Sequence, residues 1–180
     1  RGFKGHLGAA RSGAITGGLV KIAAGLVAGA LAALVFALRA PEWAFWLVFV
    51  WGGAEITVLV GLTANLVNLT DRAPGRAAKV TLLLTLPMIL FGDPRWAVAA
   101  APLLGALLGL LGPDLKERVM LGDSGANPLG AVAGLGLFLS LHHQARWVAI
   151  VLLLALNLAS EKWSFSRVIE RTPPLRWLDS

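Results

Sequence analysis

The stretch from Trp43 to Leu66 reads WAFWLVFVWGGAEITVLVGLTANL and carries one charged side chain, that of Glu55. A helix needs about 20 mainly apolar residues to cross the hydrocarbon core of a bilayer, so this stretch is long enough to span it. Comparable apolar runs lie on both sides of it along the chain. We therefore predict an integral membrane protein with an all-α fold.

The composition supports the same fold class. Hydrophobic residues make up 57% of the 180 residues and charged residues 14%, and the mean hydropathy is +0.73. These values lie outside the range of soluble globular domains, so water is not the solvent for most of the surface. Cysteine is absent, which excludes disulfide bonds and thiolate metal sites and leaves oxygen or imidazole ligands for any metal.

Six apolar segments predict a polytopic transmembrane helix bundle of about six spans, which forms one membrane domain over residues 1–180. The segments lie near 15–38, 43–66, 78–91, 96–111, 128–141 and 147–160. Alternation across the membrane places the loops near 69–79 and 113–127 on one side, together with a tail at 161–180. The start of that tail has the pattern of a basic amphipathic helix at the membrane surface.

The basic residues predict the orientation of this bundle. The formal charge is +6, and the 16 lysines and arginines fall mainly in short segments between apolar runs. Arg39, Arg95 and Arg146 lie on one predicted side, and the other thirteen lie on the side of the two loops. Lysine and arginine are enriched in cytoplasmic loops, so we predict a multi-pass plasma-membrane protein whose two loops are cytoplasmic. The same pattern argues against nucleic acid as a partner.

Tryptophans and glycines indicate how the helices sit in the bilayer and against one another. Six of the seven tryptophans lie near predicted span ends, where an indole can occupy the headgroup level. They are Trp43, Trp46, Trp96, Trp147, Trp163 and Trp177. Small residues allow close helix packing. We expect this role for Gly25, Gly29, Gly105 and Gly109.

A first polar segment ends the second predicted span. It reads Ala64-Asn65-Leu66-Val67-Asn68-Leu69-Thr70-Asp71. Asn65 and Asn68 are three residues apart and therefore share a helical face. The segment is either a polar helix end at the membrane interface or part of a functional site.

A second polar segment leads into the fifth predicted span. It reads Leu121-Gly122-Asp123-Ser124-Gly125-Ala126-Asn127-Pro128. Glycines bracket an acid and a hydroxyl, which suits a tight turn that brings backbone N–H groups and a carboxylate near a phosphate or Mg²⁺. The alternative is an ordinary turn without a ligand.

Together the two segments resemble signatures of the polyprenyl-phosphate N-acetylhexosamine-1-phosphate transferases (glycosyltransferase family 4), which include the phospho-N-acetylmuramoyl-pentapeptide transferases of peptidoglycan synthesis. The family stretch N-A-x-N-L-x-D-G is similar to Asn65, Asn68, Leu69, Thr70 and Asp71. The stretch G-D-[ST]-G is similar to residues 122–125. The order of the motifs, their separation by two spans and their shared side also agree.

The resemblance implies an activity and a set of roles. Such enzymes transfer a sugar-1-phosphate from a UDP-N-acetylhexosamine to polyprenyl phosphate in the bilayer, release UMP and require Mg²⁺. It implies that Asp71 and Asp123 are catalytic, with Asp123 as the metal ligand. The implied substrate-binding residues are Asn65, Asn68, Lys4, Lys116 and Arg118. A homodimer is a candidate assembly.

The chain also departs from the family pattern. After Asp71 it continues Arg72-Ala73-Pro74-Gly75, so Pro74 stands where the family has a second aspartate. The family's paired aspartates would lie before Arg1, and we therefore expect the protein to continue upstream. His142 and His143 fall on the predicted external side and do not replace the histidine-rich loop of the peptidoglycan enzymes.

Two other functions remain open from the sequence. One is a catalytically inactive relative that acts as a membrane scaffold or binds lipid phosphate. The other is a small transporter, for which Glu55 inside the second span would be the relevant residue, although Glu55 could equally be paired to another helix. A carrier needs polar groups near the middle of the membrane, whereas the motifs lie at one face, which favours the transferase.

Overall fold

A computed structural model describes residues 17–162 and 165–173, with the side chains of 17–24 and 161 excepted. Within these residues the chain forms seven helices, which confirms the all-α prediction. They are α1 (Gly17–Ala37), α2 (Glu42–Thr70), α3 (Arg76–Phe91), α4 (Pro94–Leu115), α5 (Gly122–Ser140), α6 (His143–Lys162) and α7 (Phe165–Arg171). The first part of α2 includes a π-helical turn at Val48–Gly52.

Each of the six predicted apolar segments coincides with one of the helices α1 to α6. Among the described residues, α2, α4 and α6 contain stretches long and apolar enough to cross a membrane. Only 17–28% of each stretch is buried inside the bundle, so most of its surface is apolar and faces outward, as lipid requires. These features indicate a membrane protein, while the number of six spans stays a prediction.

The helices join at two opposite ends of the bundle. We call the end that carries the α2–α3 turn and the α4–α5 loop the motif end. The α1–α2, α3–α4 and α5–α6 turns lie at the opposite end, where the Asp93 N–H donates to Ser140 Oγ over 3.3 Å. There α4 starts with Pro94 and is capped by Asp93, whose Oδ1 accepts the Arg95 N–H over 2.7 Å. The chain order thus brings both polar segments to one end.

The most extensive helix contact lies between α2 and α5 and depends on two glycines. A Cβ on Gly130 would lie 2.5 Å from the Cα of Ala64, and one on Gly134 would lie 2.7 Å from the Cα of Val60. Because the backbones touch at both positions, no larger residue fits. These glycines are four residues apart and therefore lie on the same face of α5.

The glycines expected to pack from the sequence mostly have another environment. A Cβ added at Gly25, Gly105 or Gly109 would meet no atom of the described chain within 4 Å, so these glycines make no close contact with the described helices. Gly29 does pack, against the side chain of Thr57. The periodic pattern of small residues occurs on lipid-facing and helix-facing surfaces alike, which is why it did not distinguish them.

Trp96 is also placed differently from the sequence prediction. Its side chain is 3% exposed, and its Nε1–H donates to the Val132 carbonyl over 3.0 Å. The indole thus packs against α5 instead of reaching the headgroup level, whereas Trp43 and Trp46 are 84% and 71% exposed. Trp163 and Trp177 lie outside the described residues.

Glu55 is paired to other helices, as one of its two sequence interpretations predicted. Its Oε1 lies 2.8 Å from His143 Nδ1, and its Oε2 accepts a hydrogen bond from the Arg146 guanidinium over 3.1 Å. The Arg146 guanidinium also lies 4.0 Å above the ring of Phe138 and donates to the Leu141 carbonyl. This cluster joins α2 to the α5–α6 turn at the opposite end of the bundle.

We expect Glu55→Ala to lower the free energy of unfolding by about 1–3 kcal/mol, because it leaves the half-buried Arg146 without its carboxylate. Thermal denaturation of the protein in detergent measures this loss. Glu42→Ala is the matched control, because Glu42 is an exposed acid in the same helix. Equal melting temperatures for the two variants would contradict a stabilising role for the cluster.

Candidate active site at the motif end

Asp71 is where the two polar segments meet. It caps the C-terminus of α2, and its own N–H donates to the Asn68 carbonyl over 3.2 Å. Its carboxylate accepts a hydrogen bond from the backbone N–H of Gly122, which begins α5. The structure therefore brings Asp71 to the residue that directly precedes Asp123.

The pKa of the Asp71 carboxyl reflects its position at the motif end. Burial raises the pKa of the Asp71 carboxyl above its ordinary value of 3.8. The hydrogen bond from Gly122 acts in the opposite direction, and the nearby negative charges of Asp114 and Asp123 raise the pKa further. Asp114 and Asp123 thus lie close enough to Asp71 to raise the pKa of its carboxyl.

We expect Asp71→Asn to raise the melting temperature at neutral pH. The raised pKa means that the folded protein disfavours the ionised Asp71 carboxylate. The ionised carboxylate therefore lowers the free energy of unfolding, and this cost is fully present above the pKa of the folded state. This cost falls as the pH drops through that pKa and has vanished below 3.8. Melting curves of both proteins from neutral to acidic pH check this. A variant that is less stable than the wild type at neutral pH would contradict it.

Asp123 lies in the first turn of α5 and is exposed. A carboxylate at this position is favoured by the partial positive charge of the helix N-terminus. Its backbone carbonyl accepts a hydrogen bond from Asn127 Nδ2 over 2.7 Å, which fixes the first turn. The neighbouring Ser124 is exposed as well. The turn thus presents an acid and a hydroxyl at the surface beside Asp71.

The two asparagines of the first segment lie in the last turns of α2 and are both half-buried. Asn65 Nδ2 donates to Asn157 Oδ1 of α6 over 2.5 Å. Asn157 is 3% exposed, and its own amide donates to the carbonyls of Leu62 and Leu153. Asn65 therefore joins α2 to α6, so its nucleotide-binding role stays a prediction that has to accommodate this hydrogen bond.

The basic residues near the motif end differ in their exposure to solvent. Lys116 and Arg118 are exposed in the α4–α5 loop, while Lys4 lies outside the described residues. Arg76 is 7% exposed and donates to Ser166 Oγ of α7 over 3.0 Å, so it attaches the tail helix to the motif end. Among these cations, the geometry leaves Lys116 and Arg118 accessible to a ligand.

The loop that carries these two cations begins with a defined helix end. The Glu117 N–H donates to the Asp114 carbonyl and the Arg118 N–H to the Pro113 carbonyl, which is a Schellman pattern. Glu117 has a φ of +55°, in the left-handed region that glycine usually occupies at this position. The first residues after α4 therefore have a fixed conformation.

Asp114 is the residue at this end that sequence analysis missed. It is 4% exposed, and its Oδ2 accepts the Gly75 N–H over 3.1 Å. One signal was available, because an acid in the last turn of a helix faces the negative end of the helix dipole and is unfavourable there without a partner. Its sequence neighbours Lys116 and Arg118 are basic, and this segment was therefore interpreted as phosphate-binding.

The ligands available at the motif end suit Mg²⁺. The three acids offer only oxygen atoms, and Mg²⁺ is usually held by one or two carboxylates together with phosphate oxygens and waters. Within the described part of the chain, no group of three or more acidic, histidine or cysteine side chains could hold a metal ion. The roles of Asp123 and Asp71 at a cation that is shared with a phosphate stay a prediction.

Comparison with known proteins identifies relatives that match part of the chain. Three curated proteins named phospho-N-acetylmuramoyl-pentapeptide-transferase are 40–43% identical to it. The one from Synechococcus sp. (strain JA-2-3B'a(2-13)) is 42% identical over 98 residues, which is 53% of this chain and 27% of the relative. The one from Clostridioides difficile (strain 630) is 43% identical over 72 residues, or 37% and 22%. The one from Clostridium kluyveri is 40% identical over 84 residues, or 44% and 26%.

No family model matches the chain, and no solved structure matches it. The chain spans about a quarter of the length of the curated relatives it matches. The identity over the matched segments nevertheless confirms the family relation predicted from the two polar segments. This chain is a relative of the phospho-N-acetylmuramoyl-pentapeptide transferases over part of its length.

Proposed function

We propose that the protein transfers a sugar-1-phosphate from a UDP-amino sugar to polyprenyl phosphate and releases UMP, as a step of cell-envelope polymer synthesis. The reaction takes place at the cytoplasmic membrane face, where the motif end lies. The position of Asp71 beside Gly122 and Asp123 carries the proposal, because it brings together the two segments that resemble the transferase signatures. The transferase name of the relatives supports the reaction class.

The proposed chemistry needs a surface that accepts two anionic substrates. Lys116 and Arg118 are exposed in the loop between Asp114 and Asp123 and neutralise part of the phosphate charge. Asp123 with Asp71 would hold Mg²⁺, which supplies positive charge to the reacting phosphate. Asn68 lies one turn before Asp71 and is positioned to contact the nucleotide. Positioning and charge stabilisation supply most of the rate enhancement in phosphoryl transfer.

The test measures Mg²⁺-dependent release of UMP by the full-length protein in detergent or membranes. The substrates are a UDP-N-acetylhexosamine and a polyprenyl phosphate, and exchange of labelled UMP into the UDP-sugar provides a second measure. We expect both signals to require Mg²⁺ and to disappear with EDTA. A folded wild-type protein that shows neither release nor exchange would contradict the proposal and favour a scaffold or a lipid-phosphate binder.

A further inference from the structure

The last turn of α4 is tied to the loop that follows Asp71. The tie is the hydrogen bond from the Gly75 N–H to Asp114 Oδ2, and the side chain of Asp114 is buried. Gly75 has a φ of +69°, and a Cβ at this position would lie 3.1 Å from Leu115 Cγ. The loop therefore fits against the helix end in a conformation that favours glycine.

A second tie runs in the opposite direction. The Gly122 N–H, at the far end of the α4–α5 loop, donates to the Asp71 carboxylate. The two motif-bearing loops thus hold each other at two points, Gly75 on Asp114 and Asp71 on Gly122. The hydrogen bond from Gly75 to Asp114 thus fixes the loop after Asp71 at one end of the α4–α5 loop, and Asp71 itself lies beside Gly122 at the other end.

The location of Asp114 indicates that its side chain does not stabilise its own helix. A carboxylate in the last turn is unfavourable to the helix dipole, and burial adds a desolvation cost. Its hydrogen bond from Gly75 offsets part of these costs. A neutral apolar residue would suit the end of α4 better, but it would release the loop that begins α3.

We propose that Asp114 is a positioning residue that holds the Asp71 loop at the separation from Asp123 that one shared phosphate site requires. The effect of Asp114 on turnover rests on the proposed function, whereas the effect of Asp114 on the loops can be measured without any substrate. The relevant property of Asp114 is its acceptor oxygen. Asparagine keeps an acceptor at that position and leucine removes it, so the two variants separate hydrogen bonding from size.

Distance measurement between the loops tests the proposal directly. Residues 1–180 contain no cysteine, so cysteines placed at the exposed positions Arg72 and Ser124 are the only sites for spin labels in this part of the protein. Pulsed electron resonance on the full-length protein gives their distance distribution. We expect Asp114→Leu to broaden or shift this distribution and Asp114→Asn to leave it close to that of the parent.

A matched control separates positioning from loss of stability. Asp93 also accepts one backbone N–H, at the opposite end of the same helix, so Asp93→Leu removes a similar hydrogen bond far from the motif loops. It should lower the melting temperature without changing the distance distribution. If Asp114→Leu does not fold, Gly75→Ala displaces the same loop while keeping Asp114, and it should broaden the distribution. A distribution left unchanged by every folded variant of Asp114 and Gly75, or broadened equally by Asp114→Asn and Asp114→Leu, would overturn the proposal.

Kinetics then connect position to turnover. Asp114→Leu should lower kcat by about a hundredfold, as expected when reacting groups are misplaced by about 1 Å, and change KM much less. Asp114→Asn should restore most of kcat. Normal kcat in Asp114→Leu would overturn the positioning role. Broadened distances in a wild-type background that releases no UMP would confirm the tie and contradict the proposed function alone.

Discussion

Asp123→Asn in the full-length protein is expected to reduce Mg²⁺-dependent UMP release by about a hundredfold or more, the usual loss when one charge that stabilises the transition state is removed. Asparagine has nearly the same size and leaves the hydrogen bond from Asn127 to the backbone carbonyl of residue 123 in place. The variant should therefore fold normally. The measurement is the initial rate of UMP release at saturating substrates, alongside a melting curve.

Asp93→Asn is the control for this loss. Asparagine at position 93 still caps α4, and the residue lies at the opposite end of the bundle from the motif loops. Its rate should stay close to that of the wild type. Near-normal turnover of Asp123→Asn in an active protein would show that Asp123 is not the metal ligand, even if the family relation holds.

Gly134→Leu is expected to have the largest effect on folding. Its side chain would enter the backbone of α2 at Leu59 and Val60, where a Cβ alone already comes within 2.7 Å of a Cα. Overpacking against side chains typically costs up to about 3 kcal/mol, and a contact with backbone cannot be relieved by a rotamer change. The yield of monodisperse protein in detergent and its melting temperature measure the loss.

Gly105→Leu provides the matched comparison. Gly105 lies in α4, and a Cβ added there would meet no atom of the described chain within 4 Å, so a leucine can extend into the surrounding lipid. We expect this variant to purify and melt like the wild type. Equal tolerance of the two substitutions would contradict the close α2–α5 packing.

The helices were predictable from the sequence because length and apolarity are local properties. Each apolar segment became a helix, and turns at Gly92 and at Leu141 separate neighbours that run in opposite directions. Packing faces were less predictable, since Gly105 and Gly134 have similar sequence surroundings and opposite environments. Trp96 is buried because it packs against α5. The sequence of α4 alone does not show that contact.

The candidate site was recognisable from the sequence where its residues lie in contiguous motifs. Asp71 and Asp123 each follow a recognisable pattern, and the topology explains their shared end. Asp114 acts through the backbone of Gly75, 39 residues away, so no local pattern marks it. Asn157 escaped notice for the same reason, since its partner Asn65 lies 92 residues away in another helix.

A double-substitution cycle tests most directly whether Asp71 and Asp123 form one site. UMP release is measured for the wild type, Asp71→Asn, Asp123→Asn and the protein with both changes. Residues that act on the same bound phosphate and metal give non-additive losses. We predict that the double variant is no slower than the slower single variant within about threefold, which corresponds to less than about 0.7 kcal/mol. A double variant whose loss equals the product of the two single losses would contradict a shared site.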